Sequence, residues 1–311
     1  MAFRTASDRR PLDGIWLPLI TPFRDGVLDD DAVVTLIRHY AGTPISGFIL
    51  AATTGEGLTL DTAETERLVK LAAEAANGKL PLYLGLSGSD TRKMARTIAA
   101  TRAWPIDGYL IACPYYTRPS QDGLYQHFAA LADASDKPII LYNIPYRTGV
   151  NLTNETLLRL AEHPNIVGLK DCGADREQSI DLLRRRPPNF RVLTGEDAQY
   201  YDALTDGADG AILLSAHIET ESFAAVRTLL RAGDVDAARA RWDSVSDLTR
   251  LLFAEPSPTP AKYWLWRTGL IDNAEVRLPM VEVSAELGAR LDAEMEQRYR
   301  GIDRLPRRAQ N

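Results

Sequence analysis

The chain has little cysteine. Cys113 and Cys172 are the only two among 311 residues, too few for a disulfide framework. No secretory apolar segment precedes them, so the expected setting is the reducing cytoplasm. No apolar run approaches the ~20 residues that span a bilayer, which argues against a membrane helix. Positive charge is not in excess: the net charge is −6, so bulk electrostatics give no attraction to nucleic acid or anionic membrane. The histidines His39, His127, His163 and His217 show no ligand spacing, and no metal site is expected. Dinucleotide and P-loop glycine patterns are missing. Gly85-Leu-Ser-Gly-Ser fails the nucleophile-elbow pattern at its fifth residue. The apolar share of 45% and charged share of 25% are those of an ordinary globular protein.

A regular alternation fills the chain. Short apolar runs lie at 14–20, 47–52, 80–86, 108–112, 139–143, 166–170, 190–194 and 210–214. They are too short for helices and apolar throughout rather than alternating, as expected of parallel strands buried on both faces. Helical patterns separate them. Asp61 precedes a helix over 62–77 that ends at Gly78, Ser120 opens 121–134, and Thr153 opens 154–162. Asp29-Asp30-Asp31 reads as a helix N-terminus. Eight strand–helix units over roughly 230 residues predict a closed (β/α)8 TIM barrel, with an open doubly wound sheet as the alternative. After Gly233 the strands stop, and 234–254, 258–269 and 284–300 read as three helices. We therefore expect a barrel over 1–232, carrying the active site, and a C-terminal helical region over 233–311. Residues 1–10 and 304–308 read as loose ends. The sequons at Asn151 and Asn154 read as accidental.

In a barrel, function belongs to the loops after the carboxyl ends of the strands. The polar residues at those ends are Thr53, Thr54, Gly55 and Glu56 after the second run; Pro114, Tyr115 and Tyr116 after the fourth; and Tyr142, Asn143 and Arg147 at and beyond the fifth. Lys170 ends the sixth, and Gly195 and Glu196 follow the seventh. A strand-end lysine can simply snorkel to water. With hydroxyls and an arginine on the same rim, Lys170 instead suits imine chemistry. The amine must be neutral to attack a ketone, yet an ordinary lysine is only ~0.04% free base at pH 7. An apolar mouth and a nearby cation such as Arg147 favour the neutral form. A tyrosine hydroxyl can carry the protons that the reaction moves, a threonine can relay to a second tyrosine, and Arg147 offers a fork for a carboxylate. Each also admits a plainer role. Tyr142 can be a core tyrosine, Tyr115 and Tyr116 a subunit contact, Thr53-Thr54 a helix cap, and Arg147 a partner of a surface carboxylate. Cys113 and Cys172 read as small buried hydrophobes.

Thr53-Thr-Gly-Glu56, Pro114-Tyr-Tyr-Thr-Arg-Pro-Ser120, Leu141-Tyr-Asn-Ile-Pro-Tyr-Arg-Thr-Gly149, Gly168-Leu-Lys-Asp171 and Glu255-Pro-Ser-Pro258 together resemble the dihydrodipicolinate synthase and N-acetylneuraminate lyase family, over about 14–280. The resemblance implies a class I aldolase-type lyase, usually a homotetramer built as a dimer of dimers, with no cofactor beyond a covalent imine between Lys170 and pyruvate. It implies Lys170 as the Schiff-base lysine, Tyr142 as the proton-relay tyrosine, Thr53 beside it, and Tyr116 reaching into a neighbouring subunit's site. Thr54 would bind the pyruvate carboxylate with Thr53, and Gly195 and Ile212 would line the pocket. Arg147 resembles the arginine that the synthases use for the carboxylate of L-aspartate semialdehyde, in lysine and diaminopimelate biosynthesis. The alternatives are an aldolase or dehydratase of a 2-keto-3-deoxy sugar acid or N-acetylneuraminate and, outside enzymes, a non-catalytic metabolite-binding protein. The chain departs from the pattern at Ala52, where glycine is usual. Ser89, Lys93, Thr62 and Thr65 stand where lysine-inhibited synthases carry other residues, which argues against feedback inhibition by lysine.

Overall fold

The structure is a computed structural model that describes residues 12–173 and 175–300; the two ends read as loose lie outside the described residues. Eight parallel strands close into a barrel. They are β1 (Gly14–Pro18), β2 (Gly47–Leu50), β3 (Leu82–Leu86), β4 (Gly108–Ala112), β5 (Ile139–Asn143), β6 (Ile166–Asp171), β7 (Arg191–Thr194) and β8 (Gly210–Ile212). Each pairs with its neighbours in chain order, and β8 returns to β1 through Gly14↔Gly210 and Trp16↔Ile212. The open-sheet alternative is thereby set aside. Three expected strands, 14–20, 47–52 and 210–214, lose their last two residues. There the chain leaves the ladder while staying buried, so apolarity continues past the end of pairing.

Three apolar cores hold the molecule. Trp16, Ile49, Tyr83, Leu110, Ile140, Leu193 and Ile212 fill the barrel interior. A larger layer lies between strands and helices. A third joins Leu214 to Leu252, Trp264, Leu287 and Leu291 of the last helices. Helix starts follow the capping chemistry of the sequence. Asp29 caps the helix Asp30–Tyr40 by accepting from the Ala32 amide, and Asp61 with Glu64 forms a reciprocal capping box at Thr62–Ala76. That helix ends one residue earlier than expected, because Asn77 already takes the left-handed conformation ahead of Gly78.

The three expected C-terminal helices are Val235–Leu252, Thr259–Arg267 and Ala285–Arg298. Their tie to the barrel is polar as well as apolar. Lys262, fully buried, donates to Glu56 Oε1 at 2.5 Å and to the Glu275 carbonyl at 2.7 Å. The Arg277 amide donates to Glu56 Oε2 at 2.9 Å. The ammonium and the Arg277 guanidinium lie 4.3 and 4.2 Å from the centre of the Phe23 ring, so aromatic face replaces part of the lost hydration.

Removing one partner of a buried pair strands the other charge. Lys262→Met is therefore expected to cost about 3–5 kcal/mol. The double variant Glu56→Gln with Lys262→Met should recover part of that loss in thermal or denaturant melts. A single variant no less stable than the double would show that the pair does not carry the contact.

Candidate functional site

The carboxyl end of β2 turns sharply. Ala51 and Glu56 both adopt left-handed backbone, at φ 52° and 50°, which costs a non-glycine residue about 1–2 kcal/mol. Gly57 follows because a Cβ there would lie 1.8 Å from the Ala51 carbonyl oxygen. Between the two strained positions sit Ala52, Thr53, Thr54 and Gly55. The loop is pinned by Thr21 Oγ1 donating to the Gly55 carbonyl at 2.7 Å and by the Glu56–Lys262 pair. Among the described residues nothing accepts from the Thr53 or Thr54 amide, so two N–H groups remain for an outside acceptor. Thr54 is buried and Thr53 exposed. Ala52 has room for its methyl because residue 85 is glycine; a Cβ at Gly85 would lie 2.9 Å from Ala52 Cβ.

Lys170 and Tyr142 are register partners on β6 and β5, which puts them side by side. The Lys170 ammonium lies 4.4 Å from the centre of the Tyr142 ring, and both residues are buried, at 6% and 5% exposure. The contrast with Lys262 is informative. Buried lysines are normally paired, and Lys262 is, whereas among the described residues Lys170 has no carboxylate within ion-pair distance. The snorkelling role fails on burial. Gly195 is required at its place: a Cβ would lie 2.3 Å from Lys170 Cε and 2.4 Å from Cys172 Sγ. Ile212 belongs to the barrel interior with Tyr142 and Cys172.

A chain of polar contacts leaves this pair. Tyr142, Cys172, Glu196 and Tyr146 are electrostatic neighbours, Tyr142 beside Cys172 and both Cys172 and Tyr146 beside the Glu196 carboxylate. Burial, first of all, raises the Tyr142 and Cys172 values well above normal, so both stay protonated near neutrality. Burial also raises Glu196, against the pull of Cys172, Tyr146, Lys170 and Arg147. It pushes Tyr146 up to about 12. Asp197, wholly buried and accepting from the Ser215 amide at 2.5 Å, is pushed up to about 6, mainly by burial. Cys172 is buried as expected, yet it is also a polar link. The sequence reading gave Glu196 a place on the rim and no role; Cys172, Tyr146 and Asp197 it left out of the site altogether.

Arg147 sits on the short helix Pro145–Thr148, exposed at the mouth and 5.7 Å from the centre of the Tyr146 ring. Among the described residues no carboxylate pairs with it, so the surface ion-pair role does not hold. A cavity of about 630 Å³ runs outward from Thr53 and Arg147, past Lys93, Thr62 and Thr65. Tyr116 is not gathered into the mouth. It is 92% exposed with φ 72°, and its amide reaches the Thr148 carbonyl at 3.3 Å. Among the described residues no hydrogen bond joins Tyr142 to Thr53 or Tyr116, so within one chain the three-member relay is not closed.

With this geometry in hand, comparison with known proteins is specific. A family model described as the dihydrodipicolinate synthetase family matches residues 11–298. The chain is 43% identical over 281 residues to 4-hydroxy-tetrahydrodipicolinate synthase 2 of Clostridium acetobutylicum, covering 90% of this chain and 98% of that one. It resembles the crystal structure of dihydrodipicolinate synthase from Aquifex aeolicus with a TM-score of 0.88 at 32% identity, over 93% and 98% of the two chains. The chloride-inhibited dihydrodipicolinate synthase from Acinetobacter baumannii, complexed with pyruvate, matches with a TM-score of 0.88 at 32% identity, over 92% and 98%.

Proposed function

The chain belongs to the dihydrodipicolinate synthetase family, and from that premise we propose that it condenses pyruvate with L-aspartate semialdehyde, the reaction of 4-hydroxy-tetrahydrodipicolinate synthases in lysine biosynthesis. The observation that carries this reading is Lys170: buried, unpaired and packed against the Tyr142 ring at the carboxyl mouth of the barrel. We include in the proposal a cytoplasmic location, a homotetramer, and a division of the chain into barrel 1–232 and helical region 233–311. An aldolase or dehydratase of a 2-keto-3-deoxy sugar acid would use the same lysine, but the named relatives and the free Arg147 favour the synthase.

The chemistry follows from the groups at the mouth. Neutral Lys170 Nζ attacks the ketone carbon of pyruvate, and the carbinolamine loses water to give an iminium. The iminium withdraws electrons, so a methyl proton leaves and an enamine forms. Its carbon then attacks the aldehyde, whose oxygen takes a proton. Tyr142 is the group placed to move these protons. The Thr53 and Thr54 amides suit the pyruvate carboxylate, which would otherwise face an apolar wall. Gly195 gives the lysine stem room to swing, and Ile212 closes the floor. Tyr116, standing clear of its own chain, would complete the relay with Thr53 in a neighbouring subunit. The covalent imine supplies the electron sink, so the step needs no metal or organic cofactor. Arg147 holds the carboxylate of the aldehyde partner with its planar fork.

Borohydride reduction in the presence of pyruvate should leave a single pyruvate-derived adduct, mapped by peptide analysis to Lys170; an adduct on any other residue overturns the assignment. Tyr142→Phe should slow turnover by ~10²–10⁴-fold, the usual cost of a lost acid–base group, while the pyruvate adduct still forms; an unimpaired variant removes Tyr142 from the relay. Arg147→Ala should lower kcat/KM for aspartate semialdehyde at least tenfold with pyruvate KM little changed. Full activity in that variant, or wild-type preference for 2-keto-3-deoxy sugar acids in a substrate panel, favours the alternative.

A further inference from the structure

Glu196 follows β7 on the loop that begins with Gly195, so its backbone is fixed next to the Lys170 stem. Its carboxylate lies within electrostatic reach of Cys172, Tyr146, Lys170 and Arg147. Oε1, however, is shielded from solvent and accepts nothing among the described residues. An acceptor left open inside a protein is costly, so its persistence beside Lys170 calls for a ligand-based reason. The charged and titratable groups facing it come from four elements: Lys170 and Cys172 from β6 and its end, Tyr146 and Arg147 from the short helix, Asp197 from its own loop, and Tyr142 of β5 through Cys172. Among the described residues Arg147 and Lys170 are the cations of this group without an ion-pair partner, and Glu196 is the anion with an open oxygen.

The aldehyde partner named above carries both charges on one carbon. The α-carbon of L-aspartate semialdehyde bears a carboxylate and an ammonium, and a site that holds only the carboxylate leaves three N–H donors unserved. We propose that Glu196 Oε1 receives the α-ammonium of the aldehyde substrate, so that Glu196 and Arg147 together form a two-ended clamp selecting an α-amino aldehyde over one without the amine. This rests on the synthase reading of the site and deepens it by naming a specificity-determining residue. A site built to bond a polar group rejects an analogue that lacks it, because the site's own buried group is then left without a partner. The burial that opposes the charge of Glu196 is offset by a cation bound beside it.

Glu196→Gln keeps the shape and removes the charge; Glu196→Asp keeps the charge and shortens the reach. Succinic semialdehyde has the same aldehyde and carboxylate but no amine, so it reports on every other part of the site. For Glu196→Gln we expect kcat/KM for L-aspartate semialdehyde to fall at least tenfold, while the inhibition constant of succinic semialdehyde and the yield of the borohydride-trapped pyruvate adduct change less than twofold. Glu196→Asp should retain more of the preference than Glu196→Gln. The adduct yield also verifies that each variant is folded. If Glu196→Gln leaves the discrimination between the two aldehydes unchanged, or weakens both equally, the clamp is wrong while the synthase reading stands. If the wild-type protein forms the pyruvate adduct but does not turn over L-aspartate semialdehyde, both are overturned.

Discussion

The buried contact between Glu56 and Lys262 is the constraint on which the rest of the site depends. It joins the end of β2 to a helix more than two hundred residues later in the chain, and it fixes a loop whose backbone is strained at both Ala51 and Glu56. Strain of that kind persists only where the surroundings over-determine it. Here the surroundings are an ion pair, the Arg277 amide and the Thr21 hydroxyl. The pair is not a cheap source of stability. Burial, above all, pushes Lys262 down to about 8 despite the pull of Glu56. The folded protein therefore holds this proton less tightly than an unfolded chain, whose lysines lose it near 10.5. The unfolded state binds more protons between those values, so this group weakens the fold at neutral pH and the penalty lifts as pH rises from about 8 to 10.5. What the pair contributes is position: it pins the loop on which the Thr53 and Thr54 amides remain without an acceptor among the described residues.

The same mouth is reached by a second, independent device, the strand register. Tyr142 and Lys170 pair across β5 and β6, so a ring and an ammonium that lie twenty-eight positions apart in the chain (142 to 170) become neighbours without any loop needing to fold over. Parallel pairing then repeats the two-residue period, bringing Cys172 to the same side as Lys170 while Asp171 faces away to accept from Ser179. Gly195 on the next strand end leaves the space that the lysine stem occupies. Rigid elements thus carry Lys170 and Tyr142. The parts exposed on the surface of one chain, Tyr116 and Arg147, are those that the proposed reaction assigns to a neighbour or to the second substrate.

Much of this was legible in the residues. The continuous apolar runs marked all eight strands because both faces of a barrel strand are buried, and the caps at Asp29, Asp61, Ser120 and Thr153 placed helix starts because each carries a side-chain acceptor. Strand ends were less legible: at Leu19-Ile20 and Leu213-Leu214 burial outlasts pairing, and composition reports burial. Lys170 and Tyr142 could be found because strand-end position and residue type coincide. The Glu56–Lys262 pair could not, since nothing local in Ala261-Lys262-Tyr263 distinguishes a buried lysine from one on a helix surface. Cys172 was half legible: its burial follows from residue type, its contacts with Tyr142 and Glu196 only from the closing of the barrel.

Those contacts bear on how the site separates its two tasks. In the proposed reaction Tyr142 exchanges protons at the reacting carbon, yet its titration is also coupled to Cys172, and that of Cys172 to Glu196. Because burial keeps the phenol and the thiol protonated, neither is a base at rest. The Glu196 carboxylate lies within electrostatic reach of Arg147 and Lys170. In the proposed reaction two anionic substrates must be told apart at one mouth. On that reading the amides and the lysine form one pole, fit for a keto acid with a single carboxylate, and Arg147 and Glu196 the other, fit for a molecule that carries both signs. A second pyruvate at that pole would meet the carboxylate of Glu196 with no ammonium to answer it, and like-charge repulsion would disfavour it. On the proposed reading it is the arrangement of charge, rather than the size of the cavity, that sets which substrate goes where.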